Sequence, residues 1–506
     1  MGTIHSIRFD VFRWLFAVIL TFWTPLLLWG TPPAAAVAQS ETPYKAVPGL
    51  IDLRTTFSDG AHSIEELVKI ARSRGFRVLF INDHHRVELS YGIPPFQRTL
   101  RYTKERPSIT THGPEDFLKE ISRVSNIYTD TVIIPGCEIS PHYYWTGSYL
   151  KDNLTAHNYD KKLLIMNFDE PEDYDGIPDP GNRFSLRYTV NLLPGVLVFF
   201  VPLIIGVVLL RWERPFRIGG IIIIIVSILG IVDYNPFRGS LFAPHEGDQD
   251  IMPYQEVVNY VRERGGFCFW NYPEQRSGRR KLGPIFLDTP PYPQDLFKST
   301  NYTGFAAIYA DNITITEPGN LWDGLLRAYC RGRRERPVWG IATADFHEDG
   351  RNGLVLGALP TTFLVRSLSK KSILDALRKG RMYCSFGNGH FWPKLDYFHV
   401  SGNGSERAVM GETLTTSSMP VIRFKVSYDH PKEPSMKILL IRDGKVIHTV
   451  EGIPPIEVEY VDTEAPIGQK TYYRIMDKKK HLTSNPIFVT YKNRTNHLRP
   501  SPKRRE

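Results

Sequence analysis

Histidines and carboxylates recur along this chain in short clusters, each beside a short apolar run. Ser58-Asp59-Gly60 follows the run 50–55, Asn82-Asp83-His84-His85 follows 76–81, and Gly136-Cys137-Glu138 follows 132–135. His157 stands before the run 163–166, Asn271-Tyr272-Pro273 follows 267–270, and Asp345-Phe346-His347 follows 339–344. Imidazole nitrogens and carboxylate oxygens together suit zinc, manganese or iron. The four cysteines show no Cys-x-x-Cys or zinc-finger spacing, so a metal here would be held by His, Asp and Glu. A single Asp-His pair is more often a loop hydrogen bond than a pair of ligands. Repetition at the termini of six runs is what favours a divalent metal centre.

These clusters need a scaffold that brings strand ends together. Ser63-x-x-Glu66 forms a capping box that opens a helix with Leu67, Ile70 and Ala71 on one face, and Gly75 closes it. Residues 114–124 and 254–264 also have helical spacing, whereas 76–81, 131–139 and 267–270 are apolar and β-rich. Strands alternating with helices predict an α/β domain with a largely parallel sheet. In barrels of this class the reacting groups come from the C-terminal ends of several strands. From about residue 395 the pattern changes. Short alternating runs at 421–428, 436–442, 445–450, 456–461, 471–476 and 486–491 predict an immunoglobulin-like antiparallel sandwich.

Three apolar segments set the topology. Residues 1–38 read as an export signal, with Arg8 and Arg13 before the apolar stretch 15–29 and Ala36-Val37-Ala38 before Gln39. An uncleaved anchor helix of the same orientation is the alternative, and either one exports the chain beyond it. Residues 192–210 and 218–232 are uncharged, and the first has about the 20 residues that a bilayer span needs. The loop between them carries Arg211, Arg214 and Arg217, a residue type that concentrates on the cytoplasmic side. Buried core helices are the alternative for this pair. The predicted protein is thus held in a lipid bilayer, with its bulk on the periplasmic or extracellular side.

A net charge of +9 over 506 residues is modest. The basic runs at 331–336 and 503–505 lack the interleaved aromatics of a single-strand binder, and no nucleic-acid partner is expected. No P-loop and no GxGxxG between a strand and a helix is present, so nothing signals a nucleotide site. Four cysteines in so long a chain are no disulfide framework, and Cys137 and Cys268 read as small buried hydrophobes.

Taken in order, Ser-Asp-Gly, Asn-Asp-His, Pro-Gly-Cys-Glu, Asn-Tyr-Pro and Ala-Asp-Phe-His resemble the PHP (polymerase and histidinol phosphatase) family of metallohydrolases. The segment SILDALRKGRMYCS (372–385), followed by a sandwich, looks like the exported branch that includes carbaryl-hydrolase-like proteins. The resemblance covers roughly 49–168 and 245–490. It implies a distorted (β/α)7 barrel and hydrolysis of phosphate or other esters with one or two divalent metal ions. The implied organisation is a barrel in two parts, 45–187 and 240–394, split by a transmembrane helical hairpin at 188–234. A sandwich at 395–491 and a basic, disordered tail at 492–506 follow.

The departures from the family pattern are informative. Where most PHP proteins carry a His-x-His pair, this chain has Asp52 and Arg54, and the later Ala-His-Pro has become Asn271-Tyr272-Pro273. The resemblance leaves one intact ligand set, Asp59, His84 and His347. A second metal would draw on Glu138 and His157 with Asp52 or Tyr272, and Asp345 is a further carboxylate of the centre. His85 is the candidate proton shuttle. Arg54 cannot bind a metal, and it is expected to pair with Glu138 or Asp345. It would either grip a substrate phosphate or replace a metal in a scaffold that no longer catalyses. Residues 245–250, with His245, Glu246, Asp248 and Asp250, are either ligand contacts at a membrane-facing mouth or a polar linker. The function expected is a membrane-tethered phosphoesterase acting on a small-molecule ester. A membrane-anchored binding protein, with a protein partner on the sandwich, is the alternative.

Overall fold

In this computed structural model the described residues are 44–492, apart from 183, 312, 352–353, 403–405 and 433. The export signal expected at 1–38 and the tail beyond 492 lie outside them.

Seven strands make the curled part of the main sheet. In spatial order they are Trp339–Ala342, Gly304–Ile308, Phe267–Asn271, Lys162–Met166, Val132–Ile139, Val78–Ile81 and Lys45–Leu53. Most of their residues are buried, as near-continuous apolar runs covered on both faces should be. The sheet curls until its outermost strands meet beyond their C-terminal ends. There Leu53 bridges Phe346, and Arg54 N donates to Phe346 O at 2.9 Å. Helices Ile64–Ser73, Pro114–Ile127, Met252–Glu263 and Leu321–Cys330 bury Leu67, Phe117, Val257 and Leu325 in the same core. The first opens on the expected capping box, with Glu66 accepting from Ser63 N at 2.9 Å.

One strand departs from the largely parallel arrangement. Lys162–Met166 runs antiparallel to both Val132–Ile139 and Phe267–Asn271. A parallel return needs a long crossover, and residues 140–161 form none. They make the short strands Tyr144–Thr146 and Thr155–His157, which join Ile285–Thr289 and Gly278–Leu282 in a separate four-stranded sheet. The chain therefore re-enters from the end at which it left, and Lys162 begins its strand at the rim where the others finish.

The two apolar helices are Thr189–Leu209 and Arg214–Tyr234, with mean hydropathies of 2.8 and 2.4 over their most apolar stretches. They pack on each other through small residues. A side chain at Gly206 would meet Gly220 O at 2.9 Å, and one at Gly220 would meet Gly206 O at 2.6 Å. Only 17% of each apolar stretch is buried among the described residues. Both are long and apolar enough to cross a membrane. Their foot is tied to the rim by Asp233, which accepts from Arg98 N and Thr99 N at 2.8 Å each.

The strands expected beyond residue 395 are present, and they share a sheet with the curled part. From Lys45–Leu53 the main sheet continues through Pro360–Val365, Met382–Ser385, Leu482–Ser484, Lys470–Asp477, Met436–Arg442 and Lys445–Gly452. Arg407–Val409, Lys394–Ser401, Val421–Ser427 and Ile456–Val461 form the facing sheet. Phe398, Phe424, Ile438, Leu440 and Ile475 fill the space between. At the join, Arg474 is fully buried and donates to both oxygens of Asp323, at 2.8 and 2.7 Å.

Candidate metal centre

The rim loop after Lys45–Leu53 is shaped by one buried acid. Asp83 accepts from Thr55 N and Thr55 Oγ1 at 2.7 Å each and from Ser58 Oγ at 2.5 Å. Gly60 closes the loop, because any side chain there would run into the backbone of Arg54 and Thr55. Asp59 is thereby carried over the rim with its side chain 47% exposed.

Two histidines aim at that carboxylate. His347 Nε2 lies 3.1 Å from Asp59 Oδ1, and His84 Nε2 lies 3.4 Å from the same oxygen. Their other nitrogens are engaged behind the site. His84 Nδ1 is 3.1 Å from Glu138 Oε2, and His347 Nδ1 is 2.6 Å from the carbonyl oxygen of Asp345. A carbonyl oxygen only accepts, so His347 holds its proton on Nδ1 and keeps Nε2 for the front of the site. This backing by a carboxylate and a carbonyl is what orients imidazoles that bind metals. Ligand atoms of Asp59, His84 and His347 lie within 4.8 Å of one another, the one such group among the described residues. Burial alone would raise the Asp59 carboxyl, but the adjoining His347 and His84 imidazoles outweigh it and hold the carboxyl below its usual range. The donor set of two nitrogens and one oxygen fits a divalent zinc, manganese or iron ion with a position left open.

Behind this trio lies a cluster of opposite design. Arg54 is fully buried. Its Nη1 donates to Asp52 Oδ1 at 2.5 Å and to the carbonyl of Asn82. Its Nη2 meets Glu138 Oε2 at 2.9 Å and Asp345 Oδ1 at 3.2 Å. Lys162 Nζ reaches Glu138 Oε2 at 2.5 Å. Asn271 Nδ2 donates to Glu138 Oε1 at 2.9 Å and to Asp52 Oδ2 at 3.0 Å, and Tyr272 OH donates to the same Asp52 oxygen. Burial would raise Glu138, yet Arg54, then Lys162 and His84, outweigh it and hold the carboxyl well below its usual range. At Asp52 burial outweighs Arg54, and the charges of Glu138 and Asp345 help keep that carboxyl raised. Asp52, Tyr272 and Asp345 all sit at positive φ, +70°, +47° and +45°. Such backbone in non-glycine residues costs of order 1 kcal/mol each and gathers at functional sites.

The expected residues therefore divide. Asp59, His84 and His347 come together as one ligand group. Asp52, Glu138 and Asp345 converge on Arg54, so a guanidinium stands where a second metal was expected. Both predicted pairings of Arg54, with Glu138 and with Asp345, are present. A grip on substrate is not open to it, since neither the group nor any of its atoms reaches the surface. His157 belongs elsewhere, because its strand joins the small separate sheet. There it stacks on Tyr144, with Nε2 2.7 Å from Thr146 Oγ1. His85 is turned away from the cleft, and its Nε2 lies 3.0 Å from Tyr174 O. Burial pushes its pKa down to about 3. In the segment 245–250, Glu246 pairs with Arg98 and Asp250 with Lys298, at 2.6 Å each.

Lys162 and Asn271 were not picked out as site residues by sequence reasoning. Asn271 stands inside the Asn-Tyr-Pro motif, where the lost histidine drew attention to Tyr272. A lysine opening the run 163–166 carries no signal of its own until the strand direction is known.

No protein-family model and no curated protein matches this chain. Solved structures do. A two-domain protein from Bacteroides vulgatus, described as containing a predicted PHP-like metal-dependent phosphoesterase, is similar over 88% of this chain and 95% of its own. The identity is 10% and the TM-score 0.35. A Bifidobacterium adolescentis protein described as a metal-dependent phosphoesterase is similar over 61% of this chain and 90% of its own, at 14% identity and TM-score 0.28. Fibronectin(III)-like modules of Clostridium thermocellum CbhA match 19% of this chain and 97% of theirs, at 14% identity and TM-score 0.12. None of these likenesses assigns a role to a residue here.

Proposed function

We propose that this chain is a membrane-tethered hydrolase of phosphate esters, built on a distorted (β/α)7 barrel of the PHP kind and working with one divalent metal. The observation that carries this reading is the shared aim of His84 Nε2 and His347 Nε2 at Asp59, with both Nδ1 atoms engaged behind them. A zinc, manganese or iron ion held by these three residues would supply Lewis acidity toward a phosphoryl oxygen. The chain's own residues do the rest. Lys162, Lys104 and Arg106 line the cleft in front of the trio and attract an anionic ester. Arg54 pairs with Asp52, Glu138 and Asp345 and so helps hold Glu138 and the Asp345 carbonyl in place behind the two imidazoles.

The tether is the apolar hairpin, crossing the bilayer and returning, with Arg211, Arg214 and Arg217 at the cytoplasmic turn. The bulk of the chain then lies on the periplasmic or extracellular side.

Elemental analysis of the detergent-purified chain, with His347→Ala alongside, tests the reading. About one equivalent of metal per chain, lost in the variant together with turnover of p-nitrophenyl phosphate, is the expected result. A folded chain that takes up no offered metal sinks it. A second reading, a silent scaffold that binds a partner through its sandwich, is favoured by one observation, the guanidinium among three carboxylates. Metal-free protein would promote that reading to first place.

A further inference from the structure

Two cavities lie between the metal centre and the foot of the apolar hairpin. The first, about 350 Å³, has Asp59, His84 and Lys162 on its inner side and Lys104 and Arg106 farther out. The second, about 200 Å³, is bounded by Arg98, Arg101, Arg238 and His245, and reaches Val232 and Asn235 at the end of the second hairpin helix. Glu88, Tyr143 and Pro180 line both, so the cavities adjoin.

Some cations along this route are paired, as Lys162 is with Glu138, and others are not. Lys104 and Arg106 are exposed and enter no ion pair among the described residues. In the second cavity Arg98 pairs with Glu246 at 2.6 Å, and Arg101 lies 4.0 Å from Glu88. Arg238 has neither. Its Nε is buried without a hydrogen-bond partner, and its guanidinium rests 5.7 Å from the Tyr234 ring. A half-buried guanidinium of this kind is matched by the planar two-oxygen face of a phosphate.

The foot of the hairpin is also ringed by bare apolar side chains. Ile93 and Leu100 stand exposed in the loop that Asp233 grips. Phe184 and Leu186 precede the first helix, and Phe237, stacked on Phe184 at 5.9 Å, follows the second. Exposed apolar surface on this scale marks a contact with something apolar. With the hairpin in a bilayer these side chains sit at its surface, and the second cavity opens among the lipid head groups.

We infer that the substrate is a membrane lipid whose head group carries two phosphates, a bridging diester and a terminal monoester. This rests on the hydrolase reading above and names its substrate. The acyl chains stay in the bilayer beside the hairpin. The bridging phosphate lodges in the second cavity against Arg238, Arg98 and Arg101. The terminal monoester reaches the first cavity, where Lys104, Arg106 and Lys162 receive its charge. In the cut, a water oxygen bonds to phosphorus and the phosphorus–oxygen bond to the head-group alcohol breaks. One water proton passes to that alcohol oxygen, and the other remains with the released phosphate.

The full chain in phosphatidylcholine nanodiscs doped with phosphatidylglycerol phosphate is the material for the test, with the deacylated head group as the soluble control. Phosphate release from the lipid is expected at about ten times or more the kcat/KM for the control, since remote binding energy is lost with the tails. Arg238→Ala should cut that preference at least about fivefold, acting on KM, and Arg238→Lys should restore part of it. Native mass spectrometry of the detergent-purified chain gives a readout without turnover. The wild type should retain the added lipid, and Arg238→Ala, or Arg101→Gln if the first variant misfolds, should lose it. Equal cleavage of lipid and control, or cleavage of p-nitrophenyl phosphate with neither, overturns this inference and leaves the hydrolase reading standing. Failure to cleave any of the three overturns both.

Discussion

The strand ends hold two neighbouring clusters that answer the same electrostatic problem in opposite ways. In the front cluster, Asp59, His84 and His347 present lone pairs to an open space and await a cation. In the rear cluster, Asp52, Glu138 and Asp345 already surround one, because Arg54 is part of the chain. The difference lies in which charges are removable. A metal ion can leave, be exchanged or be chelated, whereas a guanidinium stays charged at any workable pH. On the proposed reading the rear cluster is fixed structure and the front the functional site, though His84 of the front touches Glu138 of the rear.

Four experiments would break or sharpen this contrast. The largest effect is expected at Arg54. Arg54→Met leaves the buried carboxylates of Asp52 and Glu138 without their main counter-charge, a loss of about 3–5 kcal/mol by analogy with broken buried pairs. A Tm close to wild type in a thermal scan would show that the rear cluster is not the fixed half. Next comes the front. His347→Ala should lower metal affinity by well over tenfold, since even residues that only back a ligand are worth about that much. It should leave Tm of the metal-stripped protein nearly unchanged. Equal destabilisation of the stripped protein would mean that the front is structural too.

A smaller effect falls on Lys162, which pairs with Glu138 of the rear cluster and borders the cleft in front. Lys162→Met removes one of two cations from Glu138 and should cost about 1.5–3 kcal/mol, the range for a hydrogen bond to a charged group. It should also weaken phosphoester turnover, because Lys162 borders the cleft. The smallest is expected from Arg351, which lies 3.9 Å from Asp59 Oδ2 with its side chain 43% exposed. Arg351→Ala should move Tm by an amount equivalent to at most about 0.5 kcal/mol and leave metal content as it is. A large drop in bound metal would extend the front cluster outward.

How much of this could be read from the sequence depends on the physics of each position. The trio was legible through the ordered motifs that resemble the PHP family. It comes together because Asp59, His84 and His347 each sit within a few residues of a strand end, and strand ends converge in a curled sheet. The choice between His84 and His85 depended on which way one side chain pointed. Neighbours there face opposite ways, and a shift of one residue would exchange them. Two of the three carboxylate partners of Arg54, Glu138 and Asp345, were legible as well, since a cation among carboxylates must find anions. Asp52 was expected as a metal ligand instead. Lys162 was hidden because its place depends on a reversal of strand direction, and no local pattern marks the direction of an apolar run. His157 misled for the same reason, its three-residue strand being too short to reveal that it joins a different sheet.

The sheet that passes unbroken from the curled half into the sandwich limits how the chain can be divided. Met382–Ser385 pairs with Pro360–Val365 on one edge and with Leu482–Ser484 on the other. A fragment ending at residue 394 would lose the second partner and expose a row of unsatisfied amides and carbonyls. Naked edges of this kind recruit strands from other molecules. Asp323 would also be left buried without Arg474. Trimming at the apparent domain boundary would thus yield aggregate, and truncations meant to simplify purification belong outside both sheets.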